Sequence, residues 1–174
     1  MLRNHSGFSL VEATFASAIL VSALAGLAQA VVWAVHASAG ARASTGAALL
    51  AAAKMEQLRS LSYNVDASGA RETDTSANTA VDPPKPDGGT GLEPSPADAL
   101  VLNRSGYSDF LDGRGEWVAS AEDAAARAAY VRRWRVTPVP DDPDGSLVLE
   151  VVVSSMWGRL EYSRLASVLT RRAR

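Results

Sequence analysis

The chain has 174 residues, enough for one modest globular domain beside a long helix, and a formal net charge of −2 that gives no global electrostatic case for nucleic acid. It contains no Cys and only two His, His5 and His36. These counts exclude disulfide stapling and leave almost no material for His- or Cys-dependent catalysis or a His-rich metal site.

Residues 1–7, Met1-Leu2-Arg3-Asn4-His5-Ser6-Gly7, form a short basic and polar head. A secretory signal carries its small-residue cleavage site after the apolar core. Here the best small-residue break, Gly7, lies before it, so cleavage would remove only the head and leave the apolar segment attached. Phe8 would then be the new N-terminus, with an amine that is cationic at neutral pH. Glu12 would sit four residues from that cation. From Ala13 to Ala41 there is no Asp, Glu, Lys or Arg, a run longer than the roughly 20 apolar residues needed to span a bilayer. An ionisable group at the start of such a run is costly unless paired, which makes Glu12 a functional residue by default. Arg3 and the amino terminus place the leader on the cytoplasmic side, with the remainder exported.

Gly7-Phe8-Ser9-Leu10-Val11-Glu12, opening an uninterrupted apolar run, resembles the processing site of type IV prepilins and of the pseudopilins of type II secretion. The resemblance covers about the first 60 residues. It implies cleavage between Gly7 and Phe8 by a prepilin peptidase, N-methylation of Phe8, and an assembly role for Glu12 in neutralising a neighbouring subunit's N-terminal amine. Major pilins usually carry a Pro in the membrane segment. Here Leu27-Ala28-Gln29-Ala30 stands there and no Pro precedes Pro83, which favours a minor pilin or a pseudopilin.

Residues 8–62 read as one helix of about 80 Å, membrane-spanning at about 10–36. Its second half is amphipathic: Ala47, Ala51, Met55 and Leu58 follow helical spacing, Leu50 and Leu61 widen the stripe, and Arg42, Lys54, Glu56 and Arg59 mark a wetter side. Gly26, Gly40 and Gly46 suit close helix approach or mild flexing, and the sequence does not choose between them. Residues 63–105 are rich in Ser, Thr, Ala, Asp, Pro and Gly, culminating in Asp82-Pro83-Pro84-Lys85-Pro86-Asp87-Gly88-Gly89. That composition predicts a flexible surface loop, a connector or a recognition surface, with Ala99-Leu100-Val101-Leu102 as an anchoring extra strand.

Residues 106–174 form the predicted C-terminal globular region. Ser120-Ala121-Glu122-Asp123 marks the start of a short helix to about Ala129, with Ser120 able to cap it. Tyr130–Thr137, Ser146–Ser154 and Leu160–Thr170 read as strands, the last with a bulge near Arg164-Leu165. Short connections make them an antiparallel meander whose apolar face packs on the exported half of the helix. The expected fold class is α+β, the pilin-like ladle of a long N-terminal helix on a small antiparallel sheet. The strand Tyr130-Val131-Arg132-Arg133-Trp134-Arg135-Val136 and the Val-rich strand after it are also similar to PilV-type minor pilins and to I-type minor pseudopilins.

Two charge clusters admit a bland and a sharper reading. Arg132, Arg133 and Arg135 with Arg171, Arg172 and Arg174 are a solvated strand face and chain end, or a basic patch for single-stranded DNA; adjacent Arg132 and Arg133 point to opposite faces, which splits it. Asp141-Asp142-Pro143-Asp144-Gly145 is a solvated turn or a calcium loop, with no EF-hand spacing. No Gly-x-Ser-x-Gly elbow or phosphate loop occurs, so neither an enzyme nor a cofactor is expected. The resemblance implies a minor pilin subunit of a type IV pilus, held single-pass in the inner membrane with its head exported, then built into the fibre or its tip. The alternatives are a minor pseudopilin of a type II secretion system and a membrane-anchored exported binding module that does not polymerise. Its expected partners are prepilin peptidase, other pilin or pseudopilin subunits and the inner membrane, with nucleic acid not among them.

Overall fold

The computed structural model describes residues 9–119, 121–157 and 160–173. Two compact units divide the chain, Met1–Arg42 and Ala43–Arg174.

The first unit is the leading part of helix α1, Leu10–Arg59. Straight-chain and small apolar residues without Pro favour the helix. The carbonyl of Ser9 accepts its first turn's bond from the amide of Ala13 at 3.1 Å, and Glu12 lies in that turn, where the helix dipole favours an acid. This is the one described helix long and apolar enough to cross a membrane. Leu10, Phe15, Ile19, Leu24 and Trp33 are all exposed. The hydroxyls of Thr14, Ser17 and Ser22 donate back to the carbonyls of Val11, Ala13 and Ala18 at 2.7–2.8 Å. Polar hydrogens are thereby consumed inside the helix, the arrangement hydrocarbon demands.

The second unit is built on the last turns of α1. Ala47, Ala51, Met55 and Leu58 are buried there, as their helical spacing requires. The helix stops where Ser60 turns its amide back to Glu56 and its hydroxyl back to Gln57. This segment packs on a four-stranded antiparallel sheet in the order β3-β4-β5-β6. Its strands are β3, Ser108–Leu111; β4, Tyr130–Val139; β5, Asp142–Ser155; and β6, Glu161–Thr170. Trp134 pairs with Val151 and Val136 with Leu149 across β4 and β5, and Leu147 pairs with Leu169 across β5 and β6. Every second residue therefore faces the helix, and these six join Ala47, Ala51, Met55 and Leu58 in one apolar cluster. The opposite face is partly covered by α2, Ala121–Arg127, with Ala124, Ala128 and Val118 packed beside Phe110 and Met156. The α+β class and the meander on the helix follow the sequence reading; β3 is a fourth strand that it did not include. Ser120 lies outside the described residues.

Residues 63–105 depart from the composition-based expectation. Tyr63–Val65 and Arg71–Thr73 are strands β1 and β2, and β1 also pairs in parallel with β7, Arg172–Ala173. The Arg171 guanidinium clamps this small sheet. It donates to the carbonyls of Asn64, Glu72 and Asp144 and to the Thr73 hydroxyl, and lies 4.0 Å from the Tyr63 ring. Leu92 and Ala99 are buried in the main core, and Ser95 exchanges hydrogen bonds with the Val136 backbone. Few apolar residues suffice here because backbone hydrogen bonds in successive turns deliver each to the core. Ala99–Leu102 is not a strand but a pair of turns closed by bonds to Pro96 and Asp98. The irregularity expected near Arg164-Leu165 falls at Tyr162, opposite the register shift between Val153 and Ser154; it turns Tyr162 edge-on to Tyr130, with ring centroids 5.9 Å apart.

Candidate functional site

Gly7 and Phe8 lie outside the described residues. Glu12 is exposed on the first turn of α1, and no ion pair joins it to another described residue. Its neighbours along the helix, Leu10, Val11 and Phe15, are exposed and apolar. Glu12 is thus a lone acid beside an apolar surface, free to meet a cation from elsewhere.

A second constellation was not singled out from the sequence. Lys54 reads there as part of the wetter side of α1, yet it is 1% exposed. The correction has a tertiary cause. Its ammonium lies 2.9 Å from Asp109 on β3, donates to the Thr79 carbonyl and sits 4.2 Å above the Trp134 ring. Asp109 also receives both arms of the Arg132 guanidinium, at 2.9 and 2.7 Å, while Arg132 donates to the Leu50 carbonyl at 3.0 Å. One carboxylate therefore ties two cations, and through them α1, β3 and β4. Burial, with the Arg132 charge adding to it, pushes the Lys54 ammonium down from 10.5 to about 8 against the pull of Asp109. The cluster forms the floor of a cleft of about 510 Å³ walled by Asp82, Trp117 and Gln57. The Trp117 indole donates to the Ala80 carbonyl at 3.1 Å. Every cation in the cluster is held by Asp109 or a backbone carbonyl, which makes it a fastening of helix to sheet.

Three other basic residues of the expected patch are likewise engaged, while Arg172 is exposed on β7. Arg133 donates to Asn103 at 2.8 Å, Arg135 pairs with Glu150, and Arg171 serves the small sheet. Arg132 and Arg133 do point to opposite faces, and Arg174 lies outside the described residues. In the acidic turn, Asp144 pairs with Arg71 at 2.7 Å and Asp142 accepts from the Ser146 hydroxyl. Among the described residues no group of three or more His, Asp or Glu side chains is arranged to hold a metal ion. No protein-family model, curated protein or solved structure matches the chain.

Proposed function

We propose that the chain is a minor pilin: a subunit cleaved after Gly7 by a prepilin peptidase, N-methylated at Phe8, held by α1 in the inner membrane and then packed into a type IV pilus or its tip. The observation that carries this reading is Glu12, the one acid at the head of an apolar helix whose own hydroxyls are already bonded to its carbonyls. Inside a bundle of such helices an unpaired carboxylate is strongly disfavoured, and the cationic amine of a neighbouring Phe8 relieves it. One acid per subunit gives one favoured axial register. A proline-free α1 suits a minor pseudopilin of a type II secretion system equally well, and copurification with surface fibres separates the two.

The test is mass spectrometry of the N-terminus together with a Glu12→Gln variant. The wild-type chain is expected to begin at methylated Phe8. The variant is expected to be processed normally yet recovered in sheared fibres at least about tenfold less, the scale set by breaking a buried ion pair. A Met-initiated chain in cells that process other pilins, or equal recovery of the variant, overturns the reading.

A further inference from the structure

The two edges of the main sheet are treated differently. The outer edge of β3 is covered: the Val118 amide donates to the Phe110 carbonyl at 2.9 Å, and Leu111 bridges to Trp117. Strand β6 has β5 on one side and no strand on the other among the described residues. The Arg171 amide donates to the Gly145 carbonyl across β5 and β6, so the period-two alternation of an antiparallel pair fixes which groups are free. Ser163, Leu165, Ser167 and Leu169 turn their backbone groups to β5. Arg164, Ala166, Val168 and Thr170 turn theirs outward, and all four are exposed.

Edge strands are ordinarily blunted by Pro, Lys, inward charges or a bulge, and the register shift of β6, at Tyr162, lies before the row that begins at Arg164. β6 contains no Pro and no Lys. Its only charges, Glu161 and Arg164, face each other at 2.9 Å, with Glu150 behind them at 3.7 Å. What remains is a neutral, open row of donors and acceptors with a small residue, Ala166, at its middle.

We propose that β6 is a pairing edge that takes β6 of a second copy of this chain, antiparallel and centred on Ala166, joining two sheets into one. In this register Ala166 faces its own counterpart, and Arg164 faces the partner's Val168. No like charges oppose each other, and about six main-chain hydrogen bonds form. A register shifted to set Arg164 against its counterpart would bring like charges together, which disfavours it. Such pairing needs only that two heads meet, and stands apart from the pilus reading.

The chain lacks Cys, so a single introduced thiol reports the pairing. Opposed residues in a hydrogen-bonded pair have Cα atoms about 5.5 Å apart, within the disulfide range of about 4.4–6.8 Å. Full-length chain carrying Ala166→Cys, in detergent micelles under mild oxidant, is expected to run mostly as a crosslinked dimer. Thr137→Cys, exposed on the interior strand β4, is expected to stay monomeric under the same conditions and controls for collisions between anchors. Adding Val168→Lys to Ala166→Cys should suppress the dimer by opposing Arg164, whereas Val168→Glu should keep it. Thermal melts of each variant confirm that the heads remain folded. Equal crosslinking at positions 166 and 137, or the same response to Lys and Glu at 168, overturns the proposal, as does a crosslink from position 166 only to a different protein.

Discussion

Lys54 shows how a single residue's environment can invert what its own helix suggests. On a helical wheel it belongs with Arg42, Glu56 and Arg59. In the fold it is buried on Asp109, with Arg132 close by. The signal was absent from the sequence because the three residues come from α1, β3 and β4 and share no spacing. Burial lowers the Lys54 ammonium to about 8, while in the unfolded chain it returns to about 10.5. Between those values the unfolded state binds more protons, so the stability contributed by Lys54 rises with pH across that window, and below about pH 8 the buried charge is a standing cost. Lys54→Met removes the titration. The wild-type unfolding free energy minus that of Lys54→Met is expected to climb from pH 8 to 10.5 by on the order of 1–3 kcal/mol, because each tenfold change in proton affinity is worth about 1.4 kcal/mol. Urea unfolding read by tryptophan fluorescence measures it. A difference that falls over the same range would mean that the Asp109 attraction outweighs desolvation.

At the scale of elements, legibility followed local periodicity. Strands β4, β5 and β6 were readable because alternation places Trp134, Val136, Leu149, Val151 and Leu169 on one side without help from distant residues. Strands β1, β2 and β7 are two or three residues each, too short to alternate, and Arg171 ties β1 to β2 through the carbonyls of Asn64 and Glu72. Leu92 is hidden for the same reason: a lone apolar residue among turns carries no period. Ala99 is legible as an anchor of its apolar island, and it reaches the core from turns rather than from a strand. The helical stripe was legible as well, and it makes a contrast. Leu58 is fully buried against the sheet, while Leu49 on the same helix is 68% exposed. Leu58→Ala is expected to cost about 2–5 kcal/mol of stability through lost burial and the cavity left behind. Leu49→Ala should change it by less than about 0.5 kcal/mol. Equal effects in denaturant titration would mean that the stripe does not carry the helix–sheet interface.

For the whole molecule, the division at Arg42 separates two kinds of solvent requirement. Every buried apolar residue of the core lies at Ala47 or later, so the unit Ala43–Arg174 contains all of its own packing partners, the Lys54 cluster included. The described part of the Met1–Arg42 unit is a helix with exposed apolar residues, long and apolar enough to cross a membrane. The charge-free run Ala13–Ala41 ends beside this division, yet residues 8–62 read in the sequence as one helix with no boundary there; the packing of the second unit depends on contacts from residues 63–105, which carry no period. A chain beginning at Ala43 is therefore expected to be soluble without detergent and to unfold in one cooperative transition, within a few degrees of the full chain's head. A chain beginning at Ser62 lacks Ala47, Ala51, Lys54, Met55 and Leu58. It uncovers Trp134, Val136 and Leu149 and strands Asp109 with Arg132 alone. It is expected to precipitate or melt without a cooperative transition. Circular dichroism melts of the two truncations decide the matter: if the Ala43 form fails to fold, the second unit depends on the apolar run, and if the Ser62 form folds, the tail of α1 is not the keystone of the core.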